Sequence, residues 1–152
     1  MCVSNAAGNI IQILANLPDF LRKPMLQNRL KEFYSMSDND KRETISMALS
    51  AAPTIDPGKL SVLFRTWLEI LSEFDTEKRS AMFQTYCGQI LASPCSVEKL
   101  DFKSLTSTFL SLDHKQRERI TDSLNEVLFS FPNRNKLLRL VPEDSLKAVG
   151  LK

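Results

Sequence analysis

The sequence predicts an all-α chain of stacked antiparallel helical hairpins, about seven to eight helices within 152 residues. Three observations carry this. Leu, Ser, Lys, Glu, Arg, Met and Ala dominate while only four glycines and two tyrosines occur, a mixture that loses little side-chain freedom in a helix. Apolar residues recur at spacings of three and four, with no sustained alternation of period two. A charged block also returns at intervals of 37 and 38 residues: Asp38–Ile45, Asp75–Met82 and Asp113–Ile120.

Each column of the repeat has a physical role. Asp38, Asp75 and Asp113 are expected N-caps, whose carboxylates accept from orphan amides. Arg42, Arg79 and Arg117 lie four residues on, within reach of their own Asp. Ile45, Met82 and Ile120 begin an inward stripe that continues through Leu49, Tyr86 and Leu124, joined by Ile90 and Leu128. Pro57, Pro94 and Pro132 close each unit, with Pro57-Gly58 read as a turn. Upstream, Leu30, Trp67 and Leu105 align, as do Tyr34, Leu71 and Phe109.

In chain order the expected helices are 5–16, 25–36, 39–52, 58–73, 76–92, 97–111, 114–131 and a short one at 143–149. The first carries Ile10, Ile11, Ile13, Leu14 and Leu17 and is expected to cap the array. Leu26, Leu30, Phe33 and Tyr34 make the inner face of 25–36; Leu60, Leu63, Phe64, Trp67, Leu71 and Phe74 make that of 58–73. Residues 19–23 and 133–140 are ambiguous, and 134–140 is readable as one more helical turn. The expected organisation is one domain, 1–152, with repeats at 25–57, 58–94 and 95–132 and a C-terminal cap at 133–152. Units of this size cannot bury their own apolar faces and shield one another by stacking.

The Asp-then-Arg pattern in the second helix of each unit resembles a short HEAT-like repeat over residues 25–132. The resemblance implies an α-solenoid scaffold whose second helices line one side. The chain departs from a typical unit in having no proline in the first helix of any expected copy.

Chemistry-bearing residues are sparse. The net charge of +2 does not argue for nucleic acid or anionic membrane as the main partner, although Arg134, Lys136, Arg139, Lys147 and Lys152 outnumber Glu143 and Asp144 at the C-terminal end. Cys2, Cys87 and Cys95 are odd in number and lack metal or redox spacing, which suits a reducing, cytoplasmic compartment. Cys87 is expected near the core and Cys95 in an accessible loop. The lone His114 sits in a first helical turn where the dipole disfavours its charged form, so a general-base role is a minor reading. The four glycines are isolated and form no phosphate cradle; Gly88 is expected to admit a close helix. The carboxylates around Asp38 and Asp75 read as capping and surface pairing, and Trp67 and Phe64 as core. No signal peptide, lipidation motif or spanning stretch is read in the chain.

The expected function is a non-enzymatic protein–protein interaction module with no cofactor, metal or catalytic residue and no membrane partner. The alternative is nucleic-acid binding through a basic ladder of Arg42, Arg79 and Arg117 with Lys78, Lys115 and Arg119. If each Arg pairs with its own Asp, the ladder is only surface electrostatics.

Overall fold

The structure, a computed structural model, describes residues 6–151, with side chains from residue 9 onward. It is 82% helical. Among the described residues there are nine α-helices and no strand: α1 Ala6–Asn16, α2 Asp19–Tyr34, α3 Asp38–Ala51, α4 Pro57–Glu73, α5 Thr76–Ala92, α6 Phe102–Leu110, α7 His114–Ser130, α8 Arg134–Leu138 and α9 Glu143–Val149. Short 3-10 turns at Ala52–Thr54 and Pro94–Val97 precede α4 and α6.

The helix starts follow their caps. Asp75 Oδ1 accepts from Lys78 N at 2.8 Å to open α5, and Asp113 Oδ1 accepts from Gln116 N at 2.8 Å to open α7. Gln116 returns the bond to Asp113 N at 3.1 Å, which completes a capping box. Asp56 and Asp101 cap α4 and α6 in the same way. At α3 the cap is Ser37, not Asp38: Ser37 Oγ accepts from Asp40 N at 3.2 Å. Asp38 and Asp40 then fall in the first turn, where the helix dipole favours negative charge.

Several expected boundaries move. α2 begins at Asp19 instead of 25 and so contains Pro24. The expectation of a first helix without proline therefore does not hold for this copy. Pro57 and Gly58 lie in the first turn of α4, where a proline amide would be unpaired anyway, rather than in a turn. The expected 97–111 helix divides, because Pro94 opens its own 3-10 turn and Asp101 starts a fresh helix. Residues 134–138 are the additional helix α8, and residue 5 of the expected first helix lies outside the described region.

The helices pack in two rows. α1, α3, α5 and α7 contact one another in succession; α2, α4, α6 and α9 do the same. α4 also touches α1 and α7, which explains why Ile70, Leu71 and Ser72 are all buried on adjacent faces of one helix. The stripe residues Ile45, Met82 and Ile120 are buried and join one cluster with Leu14, Leu30, Phe33, Leu63 and Phe109. Tyr86, Leu124, Trp67, Phe64 and Cys87 pack against its edge.

α9 is too short to persist alone. Gly150, at φ 84°, ends it in the left-handed conformation that glycine tolerates. α7 holds that end: Thr121 Oγ1 donates to Val149 O at 2.9 Å and Asn125 Nδ2 to Gly150 O at 3.0 Å. Ser145 accepts from Thr106 of α6 at 2.9 Å.

Candidate functional site

The arginines expected to form a ladder go to different places. Arg79 is 5% exposed. Its Nη1 donates to Phe74 O at 2.8 Å and Leu71 O at 3.2 Å, at the end of α4, and its Nε donates to Ser123 Oγ on α7 at 2.8 Å. One guanidinium thus ties α4, α5 and α7 together. Burial lowers its pKa, and the neighbouring Arg119 adds to that. Arg42 is exposed. Arg117 is half-buried, and its Nε is buried with no partner among the described residues.

Neither form of the ladder matches this arrangement. No ion pair joins Arg42, Arg79 or Arg117 to its Asp among the described residues. At Arg79 the position four residues after the cap points back at the preceding helix, and its cation meets that helix's carbonyls; Arg117, placed alike after Asp113, makes no such bond among the described residues. At α3 the cap is Ser37, which puts Lys41 in that place, and its ammonium lies 5.9 Å over the Phe33 ring. Arg42 is rotated outward by the same one-residue shift.

A fourth member was not visible in the repeat. Arg22 follows the Pro18 cap by four residues and is 6% exposed. It donates to Leu14 O at 3.2 Å and to Leu17 O, and pairs with Asp19. These carbonyls lie eight and five residues back, as Leu71 and Phe74 do from Arg79. The signal was in the sequence, in the interval from cap to arginine, but α2 started too late in the expected register for it to be read.

Lys78, Lys115 and Arg119 are exposed. Lys78 Nζ sits 5.7 Å over Tyr34 and 5.9 Å over Phe74. Its backbone carbonyl accepts from Tyr34 Oη at 2.6 Å, and burial, with Asp75 nearby, pushes the Tyr34 pKa up. Arg119 Nη1 donates to Ser72 O at 3.2 Å. Lys115 and Arg119 share an open cleft of about 430 Å³ with Ser72, Glu73, Asp113, His114 and Gln116; Arg42 and Lys78 are not part of it. The cleft holds both charge signs, and its Glu73 pairs with Lys23 at 2.8 Å. His114 lies 3.3 Å from Glu118, with both side chains exposed, so nothing desolvates it toward acid–base work.

Among the described residues no group of three or more His, Cys, Asp or Glu converges to hold a metal. Cys87 and Cys95 are free; burial pushes the Cys87 thiol up to about 11, whereas Cys95 is exposed. Cys2 lies outside the described residues. Trp67 is half-buried in an aromatic cluster, 5.1 Å from Tyr86, 5.9 Å from Phe64 and 6.1 Å from Phe83. Burial pushes the Tyr86 phenol up to about 12. Gly88 does not serve close approach: a Cβ built there meets nothing within 4 Å. No helix among the described residues is long and apolar enough to cross a membrane.

The surface feature that sequence reasoning missed is apolar. Ile13, Phe20, Leu21 and Met25 are all exposed, Phe20 by 75%. They fall on α1 and the first turns of α2, with Phe20 and Leu21 in the stretch whose structure was ambiguous from the sequence. No family model, curated protein or solved structure matches the chain.

Proposed function

We propose that the chain is a non-enzymatic protein-interaction module, an α-solenoid-like stack of repeated hairpins that docks a protein or peptide partner in the cytoplasm. The observation that carries this is the set Ile13, Phe20, Leu21 and Met25, exposed together on the α1–α2 hairpin. Single exposed apolar residues are ordinary on any protein surface; four within thirteen residues favour a surface that a partner covers. The two free cysteines accord with a reducing compartment.

The two rows of helices support the scaffold reading. Each helix of a row leans on the next, which leaves outward faces available over the length of the array. The basic ladder loses support as the basis of a nucleic-acid reading, because Arg79 is buried and occupied.

The test is affinity capture from the native lysate with the wild-type chain and with Phe20→Glu, each with and without nuclease. Partners retained after nuclease and lost with Phe20→Glu support the proposal. A captured set that Phe20→Glu leaves unchanged removes this hairpin as the docking surface.

A further inference from the structure

We infer that the flank of the α1–α2 hairpin that faces out of the stack is a self-association surface, on which a second copy of the chain docks about a two-fold axis. The inference rests on the reading of this hairpin as a protein-docking surface and names one occupant for it. α1 and α2 stand first in their rows: α1 packs on α3 and α2 on α4, and neither has a preceding helix among the described residues. The flank each would turn to a predecessor is apolar. On α1, Ile13 is 56% exposed. It lies two residues, about 200° of helix, from buried Ala15. On α2, Lys23 turns to Glu73 of α4. Leu21 and Met25, each two residues from Lys23, fall on the opposite side, where both are exposed. Arg22 of α2 donates to Leu14 O and Leu17 O at the end of α1, so the two helices present these side chains as one unit. Phe20, about 100° round the helix from Leu21, lies beside this flank rather than on it.

The charges select a second copy. A two-fold axis sets a surface against itself, so an unpaired charge there meets its own sign or is buried alone. No charged side chain occurs from Met1 to Pro18, in a chain whose residues are 25% charged. The ions of α2 nearest the flank are neutralised within the molecule: Asp19 with Arg22, Lys23 with Glu73 and Arg29 with Glu32. One turn before Ile13 stands exposed Asn9, whose amide both donates and accepts and so complements its own copy. The other end of the stack is a poor mate for this face. There α9 covers α6 and exposes Glu143, Asp144 and Lys147, which apolar contact would strip of water. The hairpin therefore meets its own copy, and the contact closes at two chains.

The face is small. α1 has 11 residues, about 16 Å, and two helices side by side make a face of roughly 300 Å². A standard interface takes about 800 Å² from each partner, so this dimer is weak and exchanges freely.

The test is sedimentation equilibrium of the purified full chain from about 10 μM to about 1 mM, at low and moderate salt. A monomer–dimer equilibrium with its midpoint in the upper part of that range is expected. Salt should change it little, because the contact is uncharged. Ile13→Glu and Met25→Glu each set two carboxylates in the closed interface and are expected to weaken the dimer at least about tenfold. Both side chains are exposed, and circular dichroism checks that each variant is folded. The proposal is overturned by a chain that stays monomeric throughout, by association that grows beyond two chains, by a dimer that both variants leave intact, or by one that salt dissolves. Sedimentation scores the chain with itself and lysate capture scores other proteins, so the two readings fail separately: a monomer that still captures Phe20-dependent partners overturns this one alone.

Discussion

Replacing Arg79 with alanine tests how the hairpins are joined. The change removes four hydrogen bonds, to Leu71 O, Phe74 O, Ser123 Oγ and, at 3.4 Å, Thr76 Oγ1. The acceptors are not equally exposed to the loss. Leu71 O also accepts from Phe74 N at 3.2 Å, and a serine hydroxyl inside a helix can turn to its own backbone. Phe74 O loses a charged donor, which costs about 1–3 kcal/mol. The buried aliphatic stem adds roughly 2 kcal/mol in lost contact. Against this, the guanidinium's desolvation, visible in its lowered pKa, is relieved. The balance is a loss of about 2–4 kcal/mol, read from urea unfolding followed by Trp67 fluorescence and by far-UV circular dichroism. Arg42→Ala is the control: it is exposed, and its removal is expected to change stability by less than about 0.5 kcal/mol. Equal midpoints for the two variants would refute the assignment of Arg79 as the joint between α4, α5 and α7.

Two further expectations concern single positions. Gly88→Ala, in the interior of α5 with open space at its Cβ, is expected to stabilise the chain by about 0.5–1 kcal/mol in the same urea assay; a loss would mean an unseen close neighbour. In a Cys2→Ser background, Cys95 should react with a thiol reagent at mildly alkaline pH well before Cys87. The folded Cys87 thiol keeps its proton up to about 11, so its rate should keep rising up to that pH. The unfolded thiol ionises near 9, so Cys87 adds no pH dependence below that value and favours unfolding as the pH rises from there to about 11. Equal rates at the two thiols in the folded protein would place Cys87 at the surface.

Much of the helical pattern was legible because the inward stripe repeats. Ile45, Met82 and Ile120 are buried in register, as their spacing required. Caps were legible where one candidate stood alone, as at Asp75 and Asp113, and misplaced where Ser37, Asp38 and Asp40 competed. The start of α2 was missed because residues 19–23 were ambiguous in pattern, whereas the helix begins at Asp19 and continues through Pro24. The arginines were hardest to read. Whether a cation pairs with its own cap, crosses to carbonyls eight residues back or faces water depends on a rotation of one residue, and that rotation is set by tertiary packing. The exposed apolar hairpin was hidden for a related reason, since an apolar residue in a sequence does not say which side of its helix the core will occupy.

The seating of α9 decides what covers the far side of α6. A row of stacked helices ordinarily ends in a greasy flank that welcomes one more unit, from the same chain or from another. α6 packs against both α4 and α9, and α9 is fastened in turn to α7 by Thr121 and Asn125. Seven residues of helix therefore act as a doorstop, covering the flank of α6 that faces away from α4.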